Sequence, residues 1–380
     1  MTIKSIEITD NDWKLNKTSF GHISLLVGIS GAGKTKTTEI INKIYKAATS
    51  GAHHAAGCSW RIFFQIDRHE YYWEGSVAKI EATTDPNIIY QTKNYDRIVF
   101  KYEKILLDNI TIIDRDYETG EFKYNNKTLP QLKWTESALS LLEDEAALAP
   151  LMYSLKHIIV VNNEFNWSYL DDISQYNLDN IRTIDDLRES LNMPLLVKSF
   201  ILKTKFEKIF KEVEMTFYDT FPFIEKIDII KFAKDIFFPN KPASCAIIAK
   251  EKGMKKNEWF FGNLLSTGML KTLKILLELA LAPKGTLILI DEFENSLGIN
   301  CLPQIADSVN LRQRDLQFIL TSHHPYVINN IDWRNWKLVT RRGNTVTIHN
   351  TSDIPALNTA STIERFELLI NAPQYEKGIE

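Results

Sequence analysis

The stretch Gly28-Ile29-Ser30-Gly31-Ala32-Gly33-Lys34-Thr35 decides the fold, because it fills every fixed position of a phosphate-binding loop. His22 to Val27 ahead of it reads as a short buried strand. Lys36 to Ala48 behind it places Ile40, Ile41, Ile44 and Tyr45 on one helical face. Strand, glycine-rich turn and helix therefore follow in the order such a loop needs. Gly28, Gly31 and Gly33, with Ser30 between them, let backbone N–H groups turn toward an anion, and the new helix aims its positive end at it. Lys34 is expected to reach the β and γ phosphates, Thr35 to offer a hydroxyl to Mg2+, and Lys36 to join them in binding the nucleotide. The chain is thus expected to bind a nucleoside triphosphate, with ATP and GTP undistinguished.

Far downstream, Gly285 to Glu292 is an apolar run ending in two carboxylates. A parallel strand covered on both faces can be continuously apolar, and ligands gather at its carboxyl end. Asp291 is placed to hold magnesium opposite Thr35, and Glu292 to accept a proton from an attacking water. A second strand, Asp315 to Thr321, ends at Ser322-His323-His324-Pro325, where Pro325 halts regular structure and His323 is the residue placed to donate to a γ-phosphate. Between these blocks, Ser266-Thr267-Gly268 opens the apolar segment Leu270 to Leu281. A serine and a glycine there give an N-cap and exposed backbone donors.

The order of these segments, with the turn Glu294 to Gly298 between them, resembles the ABC-type ATPases, in particular the OLD-like, RecF-like and chromosome-maintenance branches. The phrases LLSTGMLKTL, LILIDEFENSLG and QFILTSHHPYVINNI are most similar to the stand-alone AAA-family, OLD-like ATPases of bacterial antiphage defence loci. The resemblance covers about residues 1–48 and 255–350. It implies an α/β ABC-type P-loop ATPase head that sandwiches ATP and Mg2+ between two copies. It makes Glu292, His323 and Lys34 catalytic, assigns magnesium to Thr35 and Asp291, and has Ser266 and Gly268 touch the γ-phosphate of the partner copy's nucleotide. It implies a homodimer or higher even oligomer serving a separately encoded effector, a nuclease or toxin. The alternative is a RecF-like DNA repair or chromosome-binding ATPase. Thr267 and Met269 depart from the usual signature, which implies slow or partner-dependent hydrolysis. The glutamine that normally links nucleotide to the mobile lobe has two candidates, Gln65 and Gln131.

The middle of the chain reads differently from its ends. Arg61–Ile66, Glu70–Glu74, Arg97–Glu103, Asn109–Asp114 and Glu121–Tyr124 alternate apolar and polar residues with turn signals between them, an antiparallel sheet. Tyr71, Tyr72 and Trp73 read as strand core before they read as a base-stacking platform. From about Trp134 to Ile236 the pattern turns helical: Thr183 to Asp186 resembles a helix start, and Val197 to Phe217 alternates lysines with glutamates around an apolar face. The expected organisation is 1–130, first ATPase lobe with an antiparallel β subdomain; 131–240, inserted helical lobe; 241–350, second ATPase lobe; 351–380, helical tail. In the tail Ser361 and Glu364 suggest a capping box, with Ile363, Phe366 and Ile370 on one side.

Composition sets limits. The 380 residues are 44% hydrophobic, enough for a large core, and the net charge of −3 gives no general attraction for nucleic acid, although a local basic patch would. Three separated cysteines suggest neither a disulfide framework nor a zinc site, and with no signal segment or membrane-length apolar run the expected location is cytoplasmic, off the membrane.

Overall fold

The computed structural model describes all residues except 81–96, 131, 162–169, 233–242, 256–257, 296, 298–300, 313–314, 355–356, 358–361, 372–374, 376–377 and 380. In chain order, β1 (Thr2–Asp10), β2 (Trp13–Ser19), β3 (Ile23–Val27) and α1 (Lys34–Ser50) precede the strands β4 (Cys58–Ile66), β5 (His69–Ile80), β6 (Arg97–Leu107), β7 (Ile110–Asp116), β8 (Glu121–Tyr124) and β9 (Lys127–Thr128). Next come α2 (Ala138–Leu141), α3 (Ala149–Lys156), β10 (Ile159–Val161), β11 (Leu170–Asp172), α4 (Ile184–Glu189), α5 (Leu195–Lys205) and α6 (Glu207–Thr220). The chain continues through β12 (Ile224–Phe232), β13 (Ser244–Glu251), β14 (Phe260–Phe261), α7 (Thr267–Leu281), β15 (Leu287–Ile290) and α8 (Leu302–Arg312). It closes with β16 (Gln317–Thr321), α9 (Pro325–Asn330), β17 (Trp336–Arg342), β18 (Thr345–Asn350) and α10 (Thr362–Ile370). Two compact units result: Met1–Val160 with Gly285–Asp291 and Gln317–Glu380, and Val161–Lys284 with Glu292–Leu316.

The first unit is built on a 14-stranded sheet in the order β10-β15-β16-β3-β17-β18-β2-β1-β4-β5-β6-β7-β8-β9. The half that carries the Gly28–Thr35 loop holds the parallel pairs: β15 with β16, β16 with β3 and β17 with β3. All residues of β3, β15 and β16 are buried, as continuous apolar runs in a covered parallel sheet require. The Gln317 side chain acts as a rivet here, accepting from the Ile3 amide at 2.7 Å and donating to the Ile3 and Gly21 carbonyls, both at 2.9 Å. Ile40, Ile41, Ile44, Ala47 and Ala48 of α1 are buried in the same core.

The antiparallel half alternates as its sequence predicts. Cys58, Trp60, Ile62, Phe64 and Ile66 of β4 point inward. Tyr71 and Trp73 are core residues, whereas Tyr72 lies on the opposite face and donates its hydroxyl to Glu74 at 2.8 Å. On that face Glu7, Arg61, Glu74, Lys104, Asp114 and Lys123 stand opposite one another across six strands, a ladder of alternating sign that offers no basic stripe. Inside, Arg115 is fully buried and donates to the Glu136 and Lys133 carbonyls at 2.8 and 2.6 Å. Glu103 accepts from Ser137 at 2.5 Å and the Ala138 amide at 2.7 Å. Burial pushes the Glu103 carboxyl above its usual range, opposed by Arg115 and these donors.

In the second unit, β13 is flanked by β11 and β12 and also pairs with β14, beside α4 to α8. The expectation of helices throughout Trp134 to Ile236 is therefore corrected: Ile224–Phe232 is a strand paired antiparallel with Ser244–Glu251. A nine-residue apolar-and-charged run is too short for its periodicity to separate strand from helix, and pairing decides it. Val197 to Phe217 is two helices broken at Phe206. Four of its five lysines have partners within the chain: Lys198 donates to the Arg188 carbonyl, Lys203 pairs with Asp228, Lys205 reaches the Leu178 and Ile181 carbonyls, and Lys211 pairs at the surface with Glu207. The start at Thr183 is a complete capping box with Asp186. Ser361 lies outside the described residues; along α10, Leu369 is buried and Phe366 half-buried.

Candidate functional site: a nucleotide-binding loop

Three strand ends of the first unit carry the site. β3 delivers Gly28 to Thr35, β15 delivers Asp291 and β16 delivers Thr321 to His323. The loop needs its glycines for space as well as for conformation. Gly28 has φ 152°, and a Cβ there would lie 2.6 Å from the Val339 carbonyl oxygen. Gly33 has φ 105°, and a Cβ would lie 2.8 Å from Val346 Cγ2. Gly33 is also the N-cap of α1 and supplies no side-chain cap, so the first-turn amides stay open for an anion. The Lys34 ammonium donates to the Gly28 and Ile29 carbonyls at 2.8 and 3.0 Å, folded back over the cradle it is expected to serve. Ser30, Gly31 and Thr35 are exposed. Lys36 is held by the buried Asp10 at 3.4 Å and lies 5.6 Å from the Trp13 ring centroid, so its ammonium braces the helix start against β1 and β2.

Asp291 does not stand alone. Thr321 donates its hydroxyl to Asp291 Oδ1 at 2.7 Å, fixing the carboxylate and leaving Oδ2 as a further oxygen donor. Carboxylate and hydroxyl oxygens are what Mg2+ takes from protein, so Asp291 and Thr35 form a donor set that fits it. The two adjacent histidines separate cleanly. His324 caps α9 by accepting from the Tyr326 amide at 3.2 Å, while its own amide donates to Ser322. His323, one residue earlier, is exposed at the strand end.

The second unit begins its return stretch with Glu292, whose φ of 45° is left-handed. For a residue with a Cβ this costs on the order of 1–3 kcal/mol and persists only where surroundings enforce it. Asn295 supplies part of that enforcement: its amide donates to the Glu292 carbonyl at 2.7 Å and its Nδ2 to Glu292 Oε2 at 2.8 Å. Ser266 is the N-cap of α7, its hydroxyl accepting from the Met269 amide at 3.2 Å, and Ser266 and Thr267 are exposed while Gly268 is half-buried. Of the expected turn, Ser296 and Gly298 fall outside the described residues, as does Gln131. Gln65 donates to the Asp67 and His69 carbonyls and closes the β4–β5 turn. Sequence reading missed Asp10, Thr321 as the support of Asp291, Asn295 and the buried Lys271; a carboxylate or lysine in an otherwise apolar stripe was the available signal.

Residues 74–329 match the family described as "AAA domain, putative AbiEii toxin, Type IV TA system". The chain belongs to this AAA family. The match spans the strand-rich middle that sequence resemblance left thin and starts after the phosphate loop. No curated protein matches the AAA chain by sequence. Among solved structures it resembles an Smc head bound to the C-winged helix domain of ScpA, at 16% identity and a TM-score of 0.53, over 92% of this chain and 97% of that one. An Smc head with an extended coiled coil from Pyrococcus furiosus, bound to the C-terminal domain of ScpA, is 13% identical over 94% of this chain and 98% of that one, TM-score 0.49. The head domain from Thermotoga maritima is 12% identical over 92% and 99%, TM-score 0.43. The fold is that of the SMC-head, ABC-type P-loop ATPases. Among the described residues no helix is long and apolar enough to cross a membrane.

Proposed function

We propose that the protein is an ATPase that binds ATP with Mg2+ on the Gly28–Thr35 loop and hydrolyses it between two copies of the chain. The observation carrying this reading is the open, glycine-built start of α1 at the end of β3, with Asp291 fixed by Thr321 two strands away in the same parallel sheet. Lys34 exchanges its two carbonyl acceptors for phosphate oxygens, and the first-turn amides of α1 hold the same group. Thr35 and Asp291 hold Mg2+, which when bound supplies charge neutralisation at the phosphates. Glu292 orients water and takes its proton, and His323 donates to the γ-phosphate. Ser266 and Gly268 of one copy complete the site of the other.

Its output is regulatory: nucleotide-driven closure changes the surface offered to a separately encoded nuclease or toxin in a bacterial antiphage system. The toxin–antitoxin setting in the family's description supports that placement. The alternative, a RecF-like or chromosome-binding ATPase, is favoured by the fold likeness to Smc heads. It requires stimulation of turnover by duplex DNA with a steep salt dependence.

The deciding variant is Glu292→Gln. It keeps ATP affinity, loses roughly 10²-fold or more in hydrolysis and accumulates as an ATP-bound dimer, read by turnover and light scattering with and without ATP. Turnover at the wild-type rate removes Glu292 from the mechanism. Added partner protein should be switched by the wild type and not by Lys34→Ala; a partner equally active with both excludes ATP control.

A further inference from the structure

The second unit contains a buried cation for which nucleotide chemistry has no use. Lys271 lies in α7, five residues after Ser266, and is 3% exposed. A lysine is almost never buried without a partner, because its ammonium must be desolvated. Its Nζ donates to the backbone carbonyl of Asn295. Asn295 in turn holds Glu292 twice, through its amide to the Glu292 carbonyl at 2.7 Å and through Nδ2 to Glu292 Oε2 at 2.8 Å. Helix α7, the turn after β15 and the Glu292 carboxylate are thereby joined by three consecutive hydrogen bonds.

We propose that Lys271 and Asn295 are positioning residues for the general base, and that they make the aim of the Glu292 carboxylate depend on the seating of α7. This rests on Glu292 acting as the base of the proposed ATPase. The chemistry requires such a device. Glu292 carries a left-handed backbone, so its side-chain direction is not secured by regular strand geometry. The Asn295 carboxamide fixes one carboxylate oxygen, and with it the direction in which the carboxylate faces. Asn295 is itself fixed because Lys271 grips its carbonyl from a helix whose flanking residues Leu270, Thr272 and Leu273 are buried. The start of the same helix carries Ser266 and Gly268. A phosphate seated on that start therefore shares helix α7 with the lysine that grips Asn295.

The test measures steady-state ATP turnover and binding of a fluorescent ATP analogue for the full-length wild type, Glu292→Gln, Asn295→Ala, Lys271→Met and Lys271→Arg, with thermal melting alongside. Loss of a hydrogen bond to a charged group corresponds to about ten- to hundredfold in rate. Asn295→Ala and Lys271→Met should lose kcat on that scale with nucleotide affinity unchanged, and Lys271→Arg should retain more activity than Lys271→Met. Adding Asn295→Ala to Glu292→Gln should cost nothing further, because the group being aimed is gone. Wild-type kcat in both single variants, an affinity loss matching the rate loss, or an undiminished further loss in the Glu292→Gln background each overturns the positioning role while leaving the ATPase reading intact. Absence of ATP hydrolysis by the wild type overturns both. If Lys271→Met melts below the assay temperature, the half-buried Asn295 position decides alone.

Discussion

Two helix starts expected to meet phosphate are built in opposite ways. α1 begins at Gly33 in a left-handed conformation with no side-chain cap, leaving its first amides for a ligand. α7 begins at Ser266, whose hydroxyl already satisfies the Met269 amide. The first start is complete only with an anion and carries its own cation in Lys34. The second is stable by itself and carries no cation in its first turn, which suits a surface that touches a phosphate already held by someone else's loop. α4, closed by the reciprocal Thr183–Asp186 box, is the fully self-satisfied extreme.

The contrast breaks first at Lys34. Lys34→Ala should lower ATP affinity and turnover by roughly 10²–10³-fold, the scale for removing one charged or oriented donor from a phosphoryl site, without lowering the melting temperature. Binding of a fluorescent ATP analogue checks it, and wild-type affinity would make the open start of α1 irrelevant. The next test separates capping from ligand contact at Ser266. Ser266→Asp preserves the cap, so melting should be unchanged, while its carboxylate opposes a phosphate and should cut turnover by about tenfold or more. Ser266→Ala should lose on the order of 1 kcal/mol of stability with a milder loss of turnover. A Ser266→Asp protein as active as the wild type would show that α7 starts an ordinary helix. The smallest effect belongs to α4. The amides of Thr183 and Arg182, with the Thr183 hydroxyl, hold the Asp186 carboxyl below its usual range. Its contribution is therefore full above the unfolded value of about 3.9 and is lost as pH falls through the lower folded value. Asp186→Asn should flatten the acid side of the stability curve measured by denaturant titration and leave ATP turnover untouched.

The placement of the candidate site residues was legible because they sit in contiguous motifs: Gly28 to Thr35, Asp291-Glu292 and Thr321 to His323 each lie at one strand end, and strand-end placement follows from apolar runs. The β4–β8 strands were legible for the same local reason, since alternation at Trp60, Ile62 and Phe64 needs no partner to be read. What failed to show is what depends on distant pairing. Ile224–Phe232 becomes a strand only beside Ser244–Glu251, and Lys271 looks like one more helical lysine until the Asn295 carbonyl is set before it. Gln317 likewise carries no signal of its rivet with Ile3, 314 residues away.

The position of β3 also sets a clock. Its neighbours on both sides, β16 and β17, leave the ribosome only long after β3 itself. At 5–20 residues per second, the roughly 290 residues between Val27 and Gln317 take about 15–60 s to synthesise. Throughout that interval the phosphate loop has been translated but has no sheet to stand on, whereas the hairpins β4 to β8 are already free to pair. Nascent chains should therefore remain incompetent for nucleotide until β16 and β17 have emerged, and a ribosome stalled before residue 317 should carry a protease-resistant antiparallel sheet beside an unprotected Gly28–Thr35 segment.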